Sequence, residues 1–292
     1  MATLKDIQRK IAVVKKTQQI TRAMKMVATS KLRGAQEATE RFRPYADKFQ
    51  AVLASLASGV EPEMHPFFQA RENVARIGLT FLTADRGLCG SFNTNLANKV
   101  QAFINEKKAE GAETVLLAGG RKGRDYFSRR GYDLHKVYLD VLGKPDFDLA
   151  QQVAAEASDL FLTGEVDEVY IVFSRFFNIS RQAPTVMKLL PFSPEDLTGE
   201  EEADQTKGEY LVEPSAGEVM IELLPKNVTV QVLSALLETA CSEQAARMTA
   251  MDNATSNCSD MIENLTLVFN KARQAAITAE LMDIVGGAEA LK

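Results

Sequence analysis

Between residues 226 and 285 the sequence has neither glycine nor proline, so for about sixty residues nothing local stops a helix. The chain is equally poor in residues that build metal or disulfide sites. Two histidines, His65 and His135, form no ligand cluster, and three cysteines, Cys89, Cys241 and Cys258, form no CxxC pair or disulfide framework. No metal, cofactor or catalytic group is expected from them. The opening MATLKDIQRK lacks an apolar core for a secretory leader, so a reducing, cytoplasmic compartment is expected. A membrane span is not expected either. Glu263, Asn270, Lys271, Arg273, Gln274, Glu280 and Asp283 interrupt any run of the ~20 apolar residues that spanning needs.

The net charge is small, −5, but charge is unevenly placed. Through Arg43 the chain carries eleven Lys or Arg against three acids, about +8, which leaves about −13 for the remainder. A basic helical face can seek nucleic acid, an anionic membrane or an acidic protein surface, or simply flank a coiled coil. The lack of interleaved aromatics and the acidic remainder argue against nucleic acid.

What is abundant is apolar periodicity at the two ends. Val230, Leu233, Leu237, Ala240, Gln244, Arg247, Met251, Ala254, Cys258, Met261, Leu265, Val268, Ala272, Ala275, Ala279 and Met282 follow a three-four spacing, the seam of a coiled coil. Such a helix would reach roughly 90 Å, more than a domain of this chain length can cover. From Met261 onward Ile262, Leu267, Phe269, Ala276, Ile277, Leu281, Ile284 and Val285 join the stripe, and a helix apolar on all sides must be enclosed. At the other end, Leu4, Ile7, Ile11 and Val14 lead into Ile20, Met24 and Val27, with a phase slip of about one residue between the two sets. The two long helices are expected to pair antiparallel.

Between them the pattern alternates strand and helix. Strands are expected at 74–84, 114–120, 134–141, 167–176 and 184–192, the last as a possible hairpin partner. Helices are expected after Ser91 or Asn93 up to Gly111, from Arg121 to a stop at Gly131, and over 148–162. An acidic, exposed loop and a short helix at 218–224 precede the long one. The expected class is therefore mixed α+β and α/β: a long antiparallel coiled coil of N- and C-terminal helices with a central Rossmann-like domain. The expected divisions are 1–57, 74–192, 193–225 and 226–292.

Two glycine turns, ADRGLCGSFN (84–93) and AGGRKGRDY (118–126), lie where an α/β domain binds phosphate, and Arg121, Lys122 and Arg124 would help hold an anion. Neither is a Walker A loop or a GxGxxG fingerprint, and tight turns are the alternative. Cys89 is a candidate thiol without a histidine near in sequence. On residues alone, two readings stand beside a purely structural one: a nucleotide-binding enzyme dimerising through its helices, and a basic coiled-coil adaptor.

Three segments resemble the gamma subunit family of the F-type ATP synthase. They are IAVVKKTQQITRAMKMVATSKLR (11–33), TADRGLCGSFN (83–93) and the run from Ser242 almost to the end, together about a third of the chain and in the family's order. The resemblance implies a non-catalytic rotor shaft. Its tip turns inside the ring of alpha and beta subunits, and its base touches the epsilon subunit and the c ring, at the cytoplasmic face of a bacterial plasma membrane. Proton or sodium flow would turn the c ring and shaft, driving ATP synthesis at the beta subunits, or pumping in reverse. It also implies roles for particular residues. Met24, Lys25, Arg86, Cys89, Arg247, Gln274 and Thr278 would contact beta; Ile277, Leu281, Ile284 and Val285 would form an apolar bearing; Tyr210, Leu211, Val212 and Glu213 would form the foot.

Overall fold

The computed structural model describes residues 3–57, 65–71, 73–193, 213 and 215–289. Its contacts divide the chain into two units, Met1–Thr29 with Arg247–Lys292, and Ser30–Ala246. Two helices contribute to both: α1 (Leu4–Ala57) and α5 (Ala216–Glu289).

The larger unit is built on a five-stranded sheet. Its elements run β1 (Arg76–Leu82), α2 (Phe92–Ala109), β2 (Glu113–Gly119), α3 (Arg121–Ser128), β3 (Leu134–Tyr138), α4 (Phe147–Leu162), β4 (Glu168–Asn178) and β5 (Arg181–Leu190). The spatial order is β3-β2-β1-β4-β5. The first four are parallel, with Ile77 opposite both Thr114 and Glu168, and β5 returns antiparallel along β4 with Met187 opposite Ile171. Helical crossovers cover both faces of such a sheet, so its central strand reads as a continuous apolar run. In β1 every residue from Ile77 to Leu82 is buried. Gly111, at φ 91°, turns the chain out of α2, and Asp146 caps α4 by accepting the Leu149 N–H at 2.9 Å.

Pro225 does not divide the C-terminal helix. The expected separate helix at 218–224 is the opening of α5, which passes through the proline. An interior proline removes one backbone bond and costs roughly 3 kcal/mol. Here Met220, Leu224, Val228 and Val232 lie on one face, one turn apart, and all are buried. At roughly 1.5–3 kcal/mol for each fully buried aliphatic side chain, that stripe outweighs the lost bond. α1 likewise continues through Pro44 to bury Leu53 and Leu56.

In the smaller unit the two helices pair antiparallel along a seam that differs from the apolar spacing. Buried or half-buried positions on α1 run Leu4, Ile7, Ile11, Val14, Gln18, Thr21, Lys25, Ala28 without a phase slip, whereas Ile20 and Val27 are 59% and 57% exposed. On α5 the seam takes Met251, Thr255, Cys258, Ile262, Leu265, Phe269, Ala272 and Ala276, while Met261 and Val268 face outward. The large apolar side chains were misleading guides to phase. Polar Gln18, Thr21 and Thr255 and small Ala28 hold positions that keep one three-four rhythm.

Candidate functional site

The two glycine turns of the larger unit lock onto each other. Thr83, just after β1, donates its Oγ1 to the Gly119 carbonyl at 2.8 Å and accepts the Gly123 N–H at 2.9 Å. Asp85 accepts the Arg121 N–H at 3.0 Å, and the Lys122 N–H reaches the Ala84 carbonyl at 3.0 Å. The first three N–H groups of α3 are the donors that would hold a phosphate. All three are engaged within the protein, one of them by a carboxylate sitting where an anion would bind. Gly120 permits this approach: at φ 91°, a Cβ there would fall 2.0 Å from the Thr83 carbonyl oxygen.

The β1–α2 turn is pinned from its other side. Asn93 accepts the Ala84 N–H at 3.0 Å through Oδ1 and points its amide at the Cys89 sulfur at 3.1 Å. Cys89 is buried and its thiol lies 3.9 Å from the Arg86 carbonyl, whereas the Arg86 side chain is exposed. Cys89 is thus a packed turn residue. Leu88 stands out from the same turn at φ 65°.

A doubly wound sheet offers a second ligand position, the crevice beyond the carboxyl ends of strands where the order reverses, here between β1 and β4. β4 outruns β1, whose pairing ends at Phe81 opposite Val172. From there α5 takes over the edge. Thr239 Oγ1 accepts the Ser174 N–H at 3.2 Å, Ser242 Oγ donates to the Ser174 carbonyl at 3.0 Å, and Glu238 accepts the Phe176 N–H at 3.1 Å. Burial pushes the Glu238 carboxyl up, against the pull of the Phe176 N–H and of Arg175 and Arg43. The crevice is filled by the protein's own helix.

The smaller unit carries a different kind of surface. Its seam holds three successive polar contacts: Gln18 Nε2 to Ser259 Oγ at 2.7 Å, Thr21 Oγ1 to Thr255 Oγ1 at 2.8 Å, and Lys25 Nζ to Asp252 Oδ1 at 2.6 Å. Lys25 is therefore tied to α5, with Met24 half-buried beside it. Arg247, where this unit begins on α5, is half-buried. Carrying the contact register back to Leu4 places the start of α1 opposite about residue 273 of α5. Half-buried positions on α5 end at Ala276, and every residue from 277 to 286 is exposed. Ile277, Leu281, Ile284 and Val285 are 50–68% exposed, on the same final turns as Thr278, and Gln274 lies one turn earlier. A concentrated apolar surface of this kind marks an interaction site. α5 also contains a stretch long and apolar enough by composition to cross a membrane, but 56% of it is buried in the protein.

A family model described as ATP synthase matches residues 3–291. A chain named ATP synthase gamma chain from Syntrophobacter fumaroxidans is 53% identical over the full length of both proteins. This chain belongs to the ATP synthase gamma chain family. A second gamma chain, from Maridesulfovibrio salexigens, is 50% identical, again over the full length of both. Among solved structures, a chain from the central stalk and c ring of the Tetrahymena thermophila mitochondrial ATP synthase is 27% identical, with a TM-score of 0.61, over 80% of this chain and 99% of that one. A chain of the Euglena gracilis mitochondrial ATP synthase shares the fold at 20% identity, with a TM-score of 0.67, over 99% of this chain and 94% of its own.

Within the family frame, the sites expected from sequence fall into three places. Met24, Lys25, Arg247, Gln274, Thr278 and the apolar tip lie in the smaller unit; Arg86 and Cys89 share one turn of the larger; Tyr210, Leu211 and Val212 lie outside the described residues, and Glu213 is exposed. Sequence reasoning missed the polar seam and Asp85. A Gln, Thr, Lys series at three-four spacing was the available signal for the former.

Proposed function

We propose that this chain is the central rotor shaft of an ATP synthase, coupling ion-driven rotation of a c ring to ATP synthesis at beta subunits and running in reverse as an ATP-driven pump. It carries no catalytic site of its own. The observation that bears most weight is the exposed apolar end of α5. Four large apolar side chains stand in solvent on a helix that α1 has ceased to cover, in a chain whose family is that of ATP synthase gamma chains. Apolar contact is nondirectional, so Ile277, Leu281, Ile284 and Val285 suit a bearing held by a ring of alpha and beta subunits without a preferred angle. Torque needs angle-dependent contacts, and Arg247, Gln274 and Thr278 are assigned to beta-subunit loops on that ground; Met24, Lys25 and Arg86 are assigned to beta by the family resemblance, with buried Cys89 shaping the turn that carries Arg86. Tyr210, Leu211, Val212 and Glu213 are assigned to the foot, against the c ring and epsilon.

As a gamma chain, the protein is part of a membrane-associated complex. We place it at the cytoplasmic face of a bacterial plasma membrane, held there by its partners. Mixing the purified chain with alpha and beta subunits tests the reading. Recovery of ATP hydrolysis that neither mixture component shows alone is the expected result; an unchanged rate with no stable complex rejects it. Against the nucleotide-binding alternative, the first three N–H groups of α3, in the turn at 118–126, are engaged within the protein and the edge of β4 beyond β1 is taken by α5.

A further inference from the structure

Ile20 and Val27, which fall outside the seam of α1 and α5, belong to a pattern of their own. With Val13 they recur every seven residues on α1, and Met261 and Val268 are spaced likewise on α5. All five are between 52% and 62% exposed. Each stands one place before a seam residue: Val14, Thr21, Ala28, Ile262 and Phe269 in turn. Successive residues turn about 100° on a helix, so positions just before the seam and positions just after it lie on opposite flanks. An open groove shows which flanks of the two helices meet. Its lining includes Lys15, Gln19, Ser259 and Glu263, each of which follows a seam residue. The positions after the seam therefore share one side of the pair, and the positions before it share the other.

The two sides differ in chemistry. Lys15, Gln19 and Arg22 of α1 lie on the first with Ser259, Glu263 and Thr266 of α5. The second carries the five exposed apolar residues and half-buried Met24. A heptad stripe on each of two paired helices is the surface that a third helix packs on, since its knobs need holes at that period. From Val13 to Val27 the stripe runs about 21 Å, four turns of helix. Its margins are mainly basic. Arg9, Lys10, Lys16 and Lys271 stand exposed beside it, against Asp6 and Asp260. A second copy of this chain would bring the same cations to the same stripe, and like charges oppose that pairing. A helix with acidic edges would complement it.

We infer that this side is a second seam, which seats an amphipathic, acid-edged helix of a beta subunit. The inference rests on the rotor reading. Beta is the occupant because Met24, assigned to beta above, lies on the same side. The stripe also keeps its phase through Ala275 and Met282 onto the end of α5 that the ring is to hold. That end is exposed all round and suits turning, whereas the stripe occupies one side only. Its burial therefore depends on angle: the shaft rests where a beta helix covers Val13, Ile20 and Val27, and it exposes them again on leaving.

The test uses this chain assembled with alpha and beta subunits. A photoreactive phenylalanine derivative placed at Ile20 should give adducts within a helical segment of beta that carries carboxylates beside its apolar face. Ile20→Ser with Val27→Ser and Val268→Ser should speed loss of the chain from the complex on the order of 100-fold, several-fold for each half-exposed apolar side chain. The same three changes should move the thermal midpoint of the isolated chain by no more than a degree or two. On the polar side, Ala12→Ser with Gln19→Ser and Met26→Ser should leave the loss rate within about threefold of the parent. Ile20→Leu with Val27→Leu should keep the parental rate, and Lys10→Glu with Lys16→Glu should slow association and blunt its salt dependence. Adducts in alpha or in a second copy of this chain overturn the inference, and so do equal losses from the two serine sets. A parent chain that forms no complex with alpha and beta rejects the rotor reading itself, and this inference with it, before any variant is compared.

Discussion

Asp85 and Arg121 meet end to end across the two glycine turns, with the carboxylate accepting the first backbone N–H of α3 at 3.0 Å. Negative charge is favoured at a helix start, so the contact both caps α3 and staples the β1–α2 turn to it. Asp85→Ala should lower stability by about 1 kcal/mol, read as a drop in the urea midpoint without change in slope, while Asp85→Asn should recover much of the loss. No loss in the alanine variant would show that the cap contributes nothing.

Glu238 couples α5 to the edge of β4, and burial works against its ionised form. With its folded value raised by burial, the folded state binds more protons than the unfolded state from the ordinary carboxylate range up to that raised value. Stability from this group is therefore greatest at low pH and declines as pH rises through the raised value. Glu238→Gln keeps an acceptor for the Phe176 N–H without the charge. It should be at least as stable as the parent near pH 7, with the advantage vanishing below about pH 4.5. Thermal melts across that range decide the sign.

Asp167 behaves in the opposite sense. Burial alone would raise it, but bonds from Arg71 at 2.8 Å and from the Arg76 and Ala75 N–H groups outweigh burial and hold the carboxyl below its ordinary value. Its stabilisation is complete above the unfolded value and is lost as pH falls through the lowered one. Asp167→Asn should cost about 2–3 kcal/mol at pH 7, since hydrogen bonds to a charged group are broken or weakened. Denaturant titration at pH 7 and in acid should show that difference shrinking in acid.

Much of the sheet could be read directly, because a parallel strand buried on both faces announces itself as a near-continuous apolar run, as residues 77–82 do with Thr80 the one polar side chain among them. The antiparallel turn-back of β5 on β4 was legible only as a possible hairpin, from apolar runs at 167–176 and 184–192; β5 itself begins at Arg181. The seam of the smaller unit was not. Ile20, Val27, Met261 and Val268 drew the stripe away from Gln18, Thr21, Thr255 and Ile262, since hydropathy rewards side-chain size and is blind to a paired hydroxyl. Pro225 misled for a related reason: propensity is local, whereas the stripe from Met220 to Val232 that carries the helix through it is a tertiary effect. Asp85 escaped because its partner is a backbone N–H on another element.

The apolar end of α5 separates folding from function. Leu281, Ile284 and Val285 contact little in the chain itself, so changing all three to serine should shift its thermal midpoint by no more than a degree or two. In a complex with alpha and beta subunits the same change should weaken retention of the shaft, measured as faster loss of this chain on dilution. Loss of fold in the isolated variant would instead assign these residues to internal packing.

Rotation itself is the most direct test. With an alpha–beta head fixed to a surface and a bead attached to this chain through an engineered cysteine in place of exposed Leu139, ATP should drive continuous one-way turning of the bead. A bead that stays bound and still while the same molecules hydrolyse ATP would contradict the account.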